Sequence, residues 1–312
     1  MSNHTIRILT AVVGIPVILL LCLTGGVYFL GFVALASAVA LKEFYGLAKA
    51  KGVQPLVFPG ILFGFLVNTT FFHAKLVSFL ISISGGKEIM FPSQTQLLLI
   101  LLLVGVAVMS LVELFRNKGS ALLNLSATIF GMMYISMFFG TFIGIRELFI
   151  PLDFPMLRYF SSQSIIDQPV VDQVYRWGGY TVISILAVIW ICDSAAFYSG
   201  TLMGKHKLFP RVSPNKSWEG AIFGFVFAIA ASIAAKYLVL EYLPVSGAVV
   251  IGIIVGIAGQ LGDLVESLFK RDAGVKDSSA LIPGHGGVLD RFDSLLLVSP
   301  LVYLYLDFVL FS

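Results

Sequence analysis

Apolar residues run in long blocks along most of the chain, and the polar residues gather between the blocks. A bilayer core of about 30 Å takes about 20 apolar residues in helical form. Counted on that basis, the pattern predicts nine spans, at residues 8–23, 26–47, 56–73, 97–115, 121–145, 179–203, 218–240, 246–269 and 288–311. The expected fold is an all-α, polytopic transmembrane helix bundle of about nine spans. The first two spans join through a tight Thr24-Gly25-Gly26 turn, and the fifth has the length to run on to Phe149 as an interfacial helix. A short span holding Gly14 and Pro16 leaves a re-entrant path open as the alternative to crossing. Residues 8–23 follow Arg7, but no small-residue cleavage pattern comes after them, so they read as a retained span and not a signal peptide. The connections 74–96 and 150–177 hold no recognisable constellation and read as solvated connectors, the first an irregular loop.

Composition strengthens this picture. Of 312 residues 58% are hydrophobic and 12% charged, more apolar matter than a soluble surface tolerates. The two cysteines, Cys22 and Cys192, lie within apolar runs, which supports neither a disulfide framework nor a zinc site. The basic residues are confined to loops and form no stripe, so no nucleic acid is expected as a partner. Their distribution gives an orientation. Fourteen of the 20 Lys and Arg fall on one set of alternate connections when the spans are numbered from the N-terminus. That places the N-terminus and the loops after spans six and eight in the cytoplasm, in a multi-pass protein of the cell (inner) membrane. The charges also divide the chain into residues 1–177, read as scaffold and lipid-facing wall, and residues 178–312, whose spans carry Asp193, Asp263, Glu266, Asp290 and Asp293 and read as the catalytic region with cytoplasmic loops.

Three stretches of that second region are candidates for chemistry. Asp193 sits inside span six, where a carboxylate is either functional or bonded to a neighbouring helix. Gly200 and Gly204 form a small-xxx-small pair suited to helix packing. The loop 204–220 carries Lys205, Lys207, Arg211 and Lys216. Inside bias alone accounts for Lys205 and Lys207, whereas Lys216 is a candidate for meeting a polyanion such as a nucleoside triphosphate. Ser213-Pro214-Asn215 suits a turn, and Ser217 is placed to cap the next helix. On span eight, Gln260, Asp263, Ser267 and Lys270, with Glu266, share one helical face that must point into the bundle.

After Lys270-Arg271 the chain reaches Pro283-Gly284-His285-Gly286-Gly287, where glycines permit the close backbone approach that suits a phosphate. Asp290 and Asp293 then lie one helical turn apart beside Arg291. Paired carboxylates facing phosphates suit magnesium, the alternative being a helix N-terminal charge preference paired with Arg291. His285, flanked by glycines and not by other nitrogen or sulfur ligands, suits acid–base work better than metal ligation.

At this point the residues resemble a known family. Ser267, Lys270, Arg271, Lys276, Asp277, Ser279, Ile282, Pro283, His285, Gly286, Gly287, Asp290, Arg291 and Asp293 are similar, at every fixed position, to the signature of phosphatidate cytidylyltransferases (CDP-diacylglycerol synthases). Asp193-Ser-Ala-Ala-Phe and Ser213-Pro-Asn-Lys-Ser-Trp-Glu-Gly resemble the family's upstream segments, with Ser217 where Thr is common and Thr201-Leu202 where a basic residue is frequent. The resemblance covers roughly the last 130 residues. It implies a nucleotidyltransferase of phospholipid biosynthesis, which makes CDP-diacylglycerol and pyrophosphate from phosphatidate and CTP with magnesium, a second cation being left open. It also implies a homodimer. In that setting Asp263, Asp290 and Asp293 are expected to hold the metal. Lys216, Ser267, Lys270, Arg271, Gly286 and Gly287 are expected to bind substrate, and Lys276, Asp277, His285 and Arg291 to serve the chemistry, with Asp193 a further candidate. Two rivals remain at this stage: a CTP-dependent polyprenol or phytol kinase, which needs a base for the alcohol proton, and an ion-coupled transporter with Asp193 and Asp263 as ion sites.

Overall fold

The computed structural model describes residues 3–85, 90–151, 153–161, 167–282, 284 and 286–312, with side chains from Val12 onward. Helix α1 (Asn3–Thr24) meets α2 (Gly26–Ala50) at Gly25 and Gly26, both with φ near +60°, a conformation glycine adopts at little cost. Next come α3 (Val57–Thr70), α4 (His73–Ile83) and α5 (Gln94–Leu114), the last opened by a reciprocal Ser93–Gln96 capping box. Helix α6 (Ala121–Gly131) passes through a π-helical stretch, Met132–Met137, into α7 (Phe138–Glu147). A single turn, α8 (Met156–Tyr159), precedes the long α9 (Gln168–Met203). A hairpin of β1 (Lys207–Phe209) and β2 (Ser213–Ser217) leads to α10 (Trp218–Leu238). Helix α11 (Val245–Ile254) continues through π-helical Val255–Gly259 into α12 (Gln260–Asp272). Helix α13 (Leu289–Tyr305) ends in π-helical Leu306–Leu310.

Among the described residues seven helices are long and apolar enough to cross a membrane, and the bent pair α3–α4 gives an eighth. Helix α1 is apolar over Val12–Thr24. The expected span 56–73 is therefore a broken one: α3 has 14 residues, about 21 Å of rise, and turns by 84° into α4. It nevertheless traverses the bundle. Lys51, after α2, pairs with Asp272 at 3.3 Å, whereas Lys75, after α3, pairs with Glu147 at 2.8 Å at the opposite end.

Several expectations need correction. The connection 74–96 begins as helix α4 and not as an irregular loop. In the connection 150–177, Phe154 and Met156 are buried, because Phe154 packs with Phe149, Trp177, Tyr242 and Phe311 into an aromatic plug at that end. The end of α7 is likewise internal: Arg146 is fully buried, its Nε donating to the Cys22 carbonyl at 3.0 Å, its guanidinium over the Tyr175 ring. Ser213-Pro214-Asn215 lies in strand β2, and the turn falls at residues 210–212, since Lys207 pairs with Ser217 and proline is tolerated on a two-stranded edge.

Without a strong apolar driving force between helices in lipid, close backbone approach at small residues holds them together. Helix α10 meets α9 in this way: a Cβ at Gly220 would lie 2.6 Å from the Ala196 carbonyl oxygen, and one at Gly224 would lie 3.0 Å from that of Cys192. Gly200 faces Gly220 in the same crossing. One core cluster joins residues of both halves, among them Phe29, Leu41 and Phe139 with Leu296 and Val302. Residues 1–177 and 178–312 differ in composition yet share that core.

Candidate active site

A cavity of about 1140 Å³ opens between α1, α2, α9, the hairpin, α12 and α13. One part is apolar, walled by Ile15, Ile18, Phe32, Leu35, Leu186, Ile189 and Trp190. The other is polar, walled by Asp193, Asn215, Lys216, Asp263, Asp290, Arg291 and Asp293. Such a space fits an amphipathic molecule whose polar end meets both carboxylates and cations.

The polar face expected on span eight is present, and the π-helical turn before it sets its direction. Gln260 donates from Nε2 to the Gly256 carbonyl at 2.6 Å and to the Ala221 carbonyl at 3.0 Å, which fixes α12 against α10. One turn on, Asp263 accepts Lys216 Nζ at 2.7 Å, so the hairpin brings this lysine to the carboxylates of α12. Ser267 Oγ donates back to Asp263 at 3.3 Å. Helix α13 presses close here: a Cβ at Gly262 would lie 2.5 Å from the Asp293 carbonyl oxygen. Asp193, Asp263 and Asp293 thereby come within electrostatic reach of one another, with Lys216 among them. Ser217 caps α10 as expected, accepting from Gly220 N at 3.2 Å.

Asp290 has different company. Its Oδ1 accepts Lys270 Nζ at 2.7 Å. Its Oδ2 accepts Gly287 N at 2.7 Å, Ser278 N at 3.0 Å and Ser278 Oγ at 2.8 Å. Lys270 also pairs with the fully buried Glu266 at 2.5 Å. Asp290 is thus the knot that ties α12, the glycine loop and α13 together. Gly286 sits at φ +84°, beside Asp290, a conformation that favours glycine.

Arg271 points to the hairpin, with Nε to the Val212 carbonyl at 3.4 Å and Nη1 to that of Val275 at 3.0 Å. Lys276 and Asp277 are exposed on the loop after α12 and, among the described residues, are not in the cavity wall. Arg291 is exposed and lines the cavity. His285 lies outside the described residues. As the side chains are placed, no three carboxylate, His or Cys groups among the described residues are gathered closely enough to hold an ion.

One participant was missed. Glu43, from the supposed scaffold helix α2, is buried and accepts Ser279 Oγ at 2.6 Å and Leu289 N at 2.8 Å. The signal was available: an acidic residue inside an apolar span is a candidate by the same criterion that singled out Asp193.

Comparison with known proteins agrees with this architecture. The chain matches the Cytidylyltransferase family over residues 5–309. The chain belongs to the cytidylyltransferase family. It is 31% identical to a phosphatidate cytidylyltransferase of Staphylococcus haemolyticus, over 96% of this chain and 98% of the relative. It is 30% identical to phosphatidate cytidylyltransferases of Synechocystis sp. and Staphylococcus aureus, over 98% and 96% of this chain and 97% and 98% of theirs. A cytidylyltransferase is a nucleotidyl-transferring enzyme, and its bundle of apolar helices makes this one a multi-pass membrane protein. The match runs well beyond roughly the last 130 residues, so the family relationship includes α1 and α2, the helices that wall the apolar part of the cavity and carry Glu43.

Proposed function

We propose that the protein transfers the cytidylyl group of CTP to phosphatidate, giving CDP-diacylglycerol and pyrophosphate, a step in phospholipid biosynthesis. The observation that carries this is the two-part cavity, acidic and basic at one end and apolar at the other, in a chain of this family. The apolar part is suited to acyl chains and the polar part to two phosphate-bearing substrates. The lipid phosphate needs little help from a base, since the second pKa of such a monoester is near 6 and it is ionised at neutral pH. One of its oxygens bonds to the α-phosphorus of CTP as the bond to the β-phosphate oxygen breaks, and pyrophosphate leaves. The requirement on the protein is to bring two polyanions together. Lys216 and Arg291 face the cavity and supply positive charge there. Lys270 supports from behind, through Asp290.

Hard carboxylate oxygens are the donor set magnesium takes. Asp263 and Asp293 would hold it, with Asp193 alongside. Asp290 would join them only by giving up donors it now accepts. When bound, magnesium would offset phosphate charge and stabilise the departing pyrophosphate. The concentration of Lys and Arg at the site end favours a cytoplasmic site, the side that holds CTP.

The test uses purified protein in detergent with phosphatidate, labelled CTP and magnesium, following CDP-lipid and pyrophosphate together in the wild type and Asp293→Asn. Equal release of both products, lost in the variant, is the expected result. CTP consumed to CDP without CDP-lipid would replace this reading with a lipid-alcohol kinase, and CTP left intact would end it.

A further inference from the structure

We infer that Glu43 is a positioning residue that holds Ser278, Ser279 and the first turn of α13 in working shape; this deepens the reading above and rests on it for its catalytic part. Helix α2 contributes a carboxylate with only 7% of its residue exposed, inside a span, and no Lys, Arg or His is its partner among the described ion pairs. A buried carboxylate needs donors. Glu43 has four within reach, all from one short stretch far along the chain, the Ser278 hydroxyl being shared with Asp290. Oε1 accepts Ser279 Oγ at 2.6 Å and Val288 N at 3.1 Å. Oε2 accepts Leu289 N at 2.8 Å and Ser278 Oγ at 3.1 Å.

The two backbone donors lie at the start of α13, whose first N–H groups have no partner within their own helix. A negative charge there also meets the positive end of the helix dipole. The two hydroxyls close the other side of the loop. Ser278 Oγ stands between Glu43 and Asp290, 3.1 and 2.8 Å away, with one proton to offer. The two carboxylates are thus joined through one hydroxyl, and Glu43 braces the knot that Asp290 ties. Gly287 completes the fit: a Cβ there would collide with Ser278 Oγ and lie 2.5 Å from Glu43 Oε2. Arg291 and Asp293 follow within the next turn, so their aim into the cavity depends on where α13 begins. Glu43 itself does not line the cavity among the described residues, and it acts through the loop.

The test compares wild type, Glu43→Gln and Glu43→Asp as purified full-length protein. Gln keeps the shape but offers an amide N–H₂ to donors, whereas Asp keeps the charge one methylene short. Amide hydrogen exchange is read without any substrate. In Glu43→Gln the peptides covering residues 278–289 should exchange at least about tenfold faster while those of α5 and α9 keep their rates, and Glu43→Asp should restore part of the protection. Turnover of CTP and phosphatidate should fall by about 10- to 100-fold in kcat in Glu43→Gln, with less effect in Glu43→Asp. Unchanged exchange over residues 278–289, or an equal rise throughout the molecule, would overturn the inference. So would local loosening with wild-type kcat. A wild type that leaves CTP intact would end the proposed reaction, and the exchange experiment would still decide whether Glu43 holds the loop.

Discussion

Replacing Gly262 with alanine probes how tightly the carboxylates of α12 and α13 are registered. The added Cβ would stand 2.5 Å from the Asp293 carbonyl oxygen and 3.2 Å from the Ser294 Cα. An unstrained carbon–oxygen contact is about 3.3 Å, so the helices must part or slide by about 0.8 Å. Both neighbours are backbone and cannot rotate away. The displaced residue is Asp293 itself, and Gly262 adjoins Asp263, so the shift falls between the two carboxylates proposed to hold magnesium. A misplacement of about 1 Å costs on the order of 100-fold in rate, and overpacking costs about 1–3 kcal/mol in stability. The assay is initial-rate CDP-lipid formation at saturating CTP and phosphatidate, per folded molecule, with a thermal unfolding midpoint for each variant. Gly31→Ala serves as the control, since its Cβ meets nothing within 4 Å, and it should keep wild-type turnover and gain slightly in stability. If Gly262→Ala turns over at the wild-type rate while its midpoint drops, the spacing of α12 and α13 does not set the site, and the reasoning fails.

Further expectations follow from the same geometry. Lys216→Met removes the cation paired with Asp263 and should raise KM for CTP about tenfold or more, measured by product formation across a CTP titration. Leu35→Trp narrows the apolar part of the cavity and should lower kcat/KM for long-chain phosphatidate more than for a short-chain analogue, whereas an equal loss for both would mean that acyl chains do not occupy that space. Ser217→Ala deletes the cap on α10 and should cost about 1 kcal/mol in unfolding experiments, with Ser217→Thr near wild type.

The bundle and most of the polar cavity wall were legible in the sequence because both rest on patterns the bilayer enforces. Apolar blocks must be helices, and intramembrane charges must face inward, so α12 and its Asp263, Ser267 and Lys270 could be placed by period alone. What escaped notice depended on contacts between distant segments. Nothing local to α3 announces an 84° bend, and the connection 150–177 reads as polar until Phe154 is seen packed against Tyr242 and Phe311. Glu43 is hard to read from sequence because its partners lie more than two hundred residues away and its neighbours in α2 are mostly apolar. Asp290 and Asp293 share a helical period but not an environment, since one turn of α13 separates a residue tied to the glycine loop from one facing Asp263.

The pairing of Lys216 with Asp263 across the cavity carries a thermodynamic consequence. Before any ligand arrives, opposite charges already satisfy each other, and a lone visitor of either sign must strand one of them. A cation at Asp263 displaces the lysine, and a polyanion at Lys216 displaces the aspartate. When both visitors arrive together, each released partner finds a new mate and no charge is left bare. If the proposed reaction holds, the pair predicts linkage: a divalent cation and a nucleotide would each strengthen the other's binding, by the same factor in both directions.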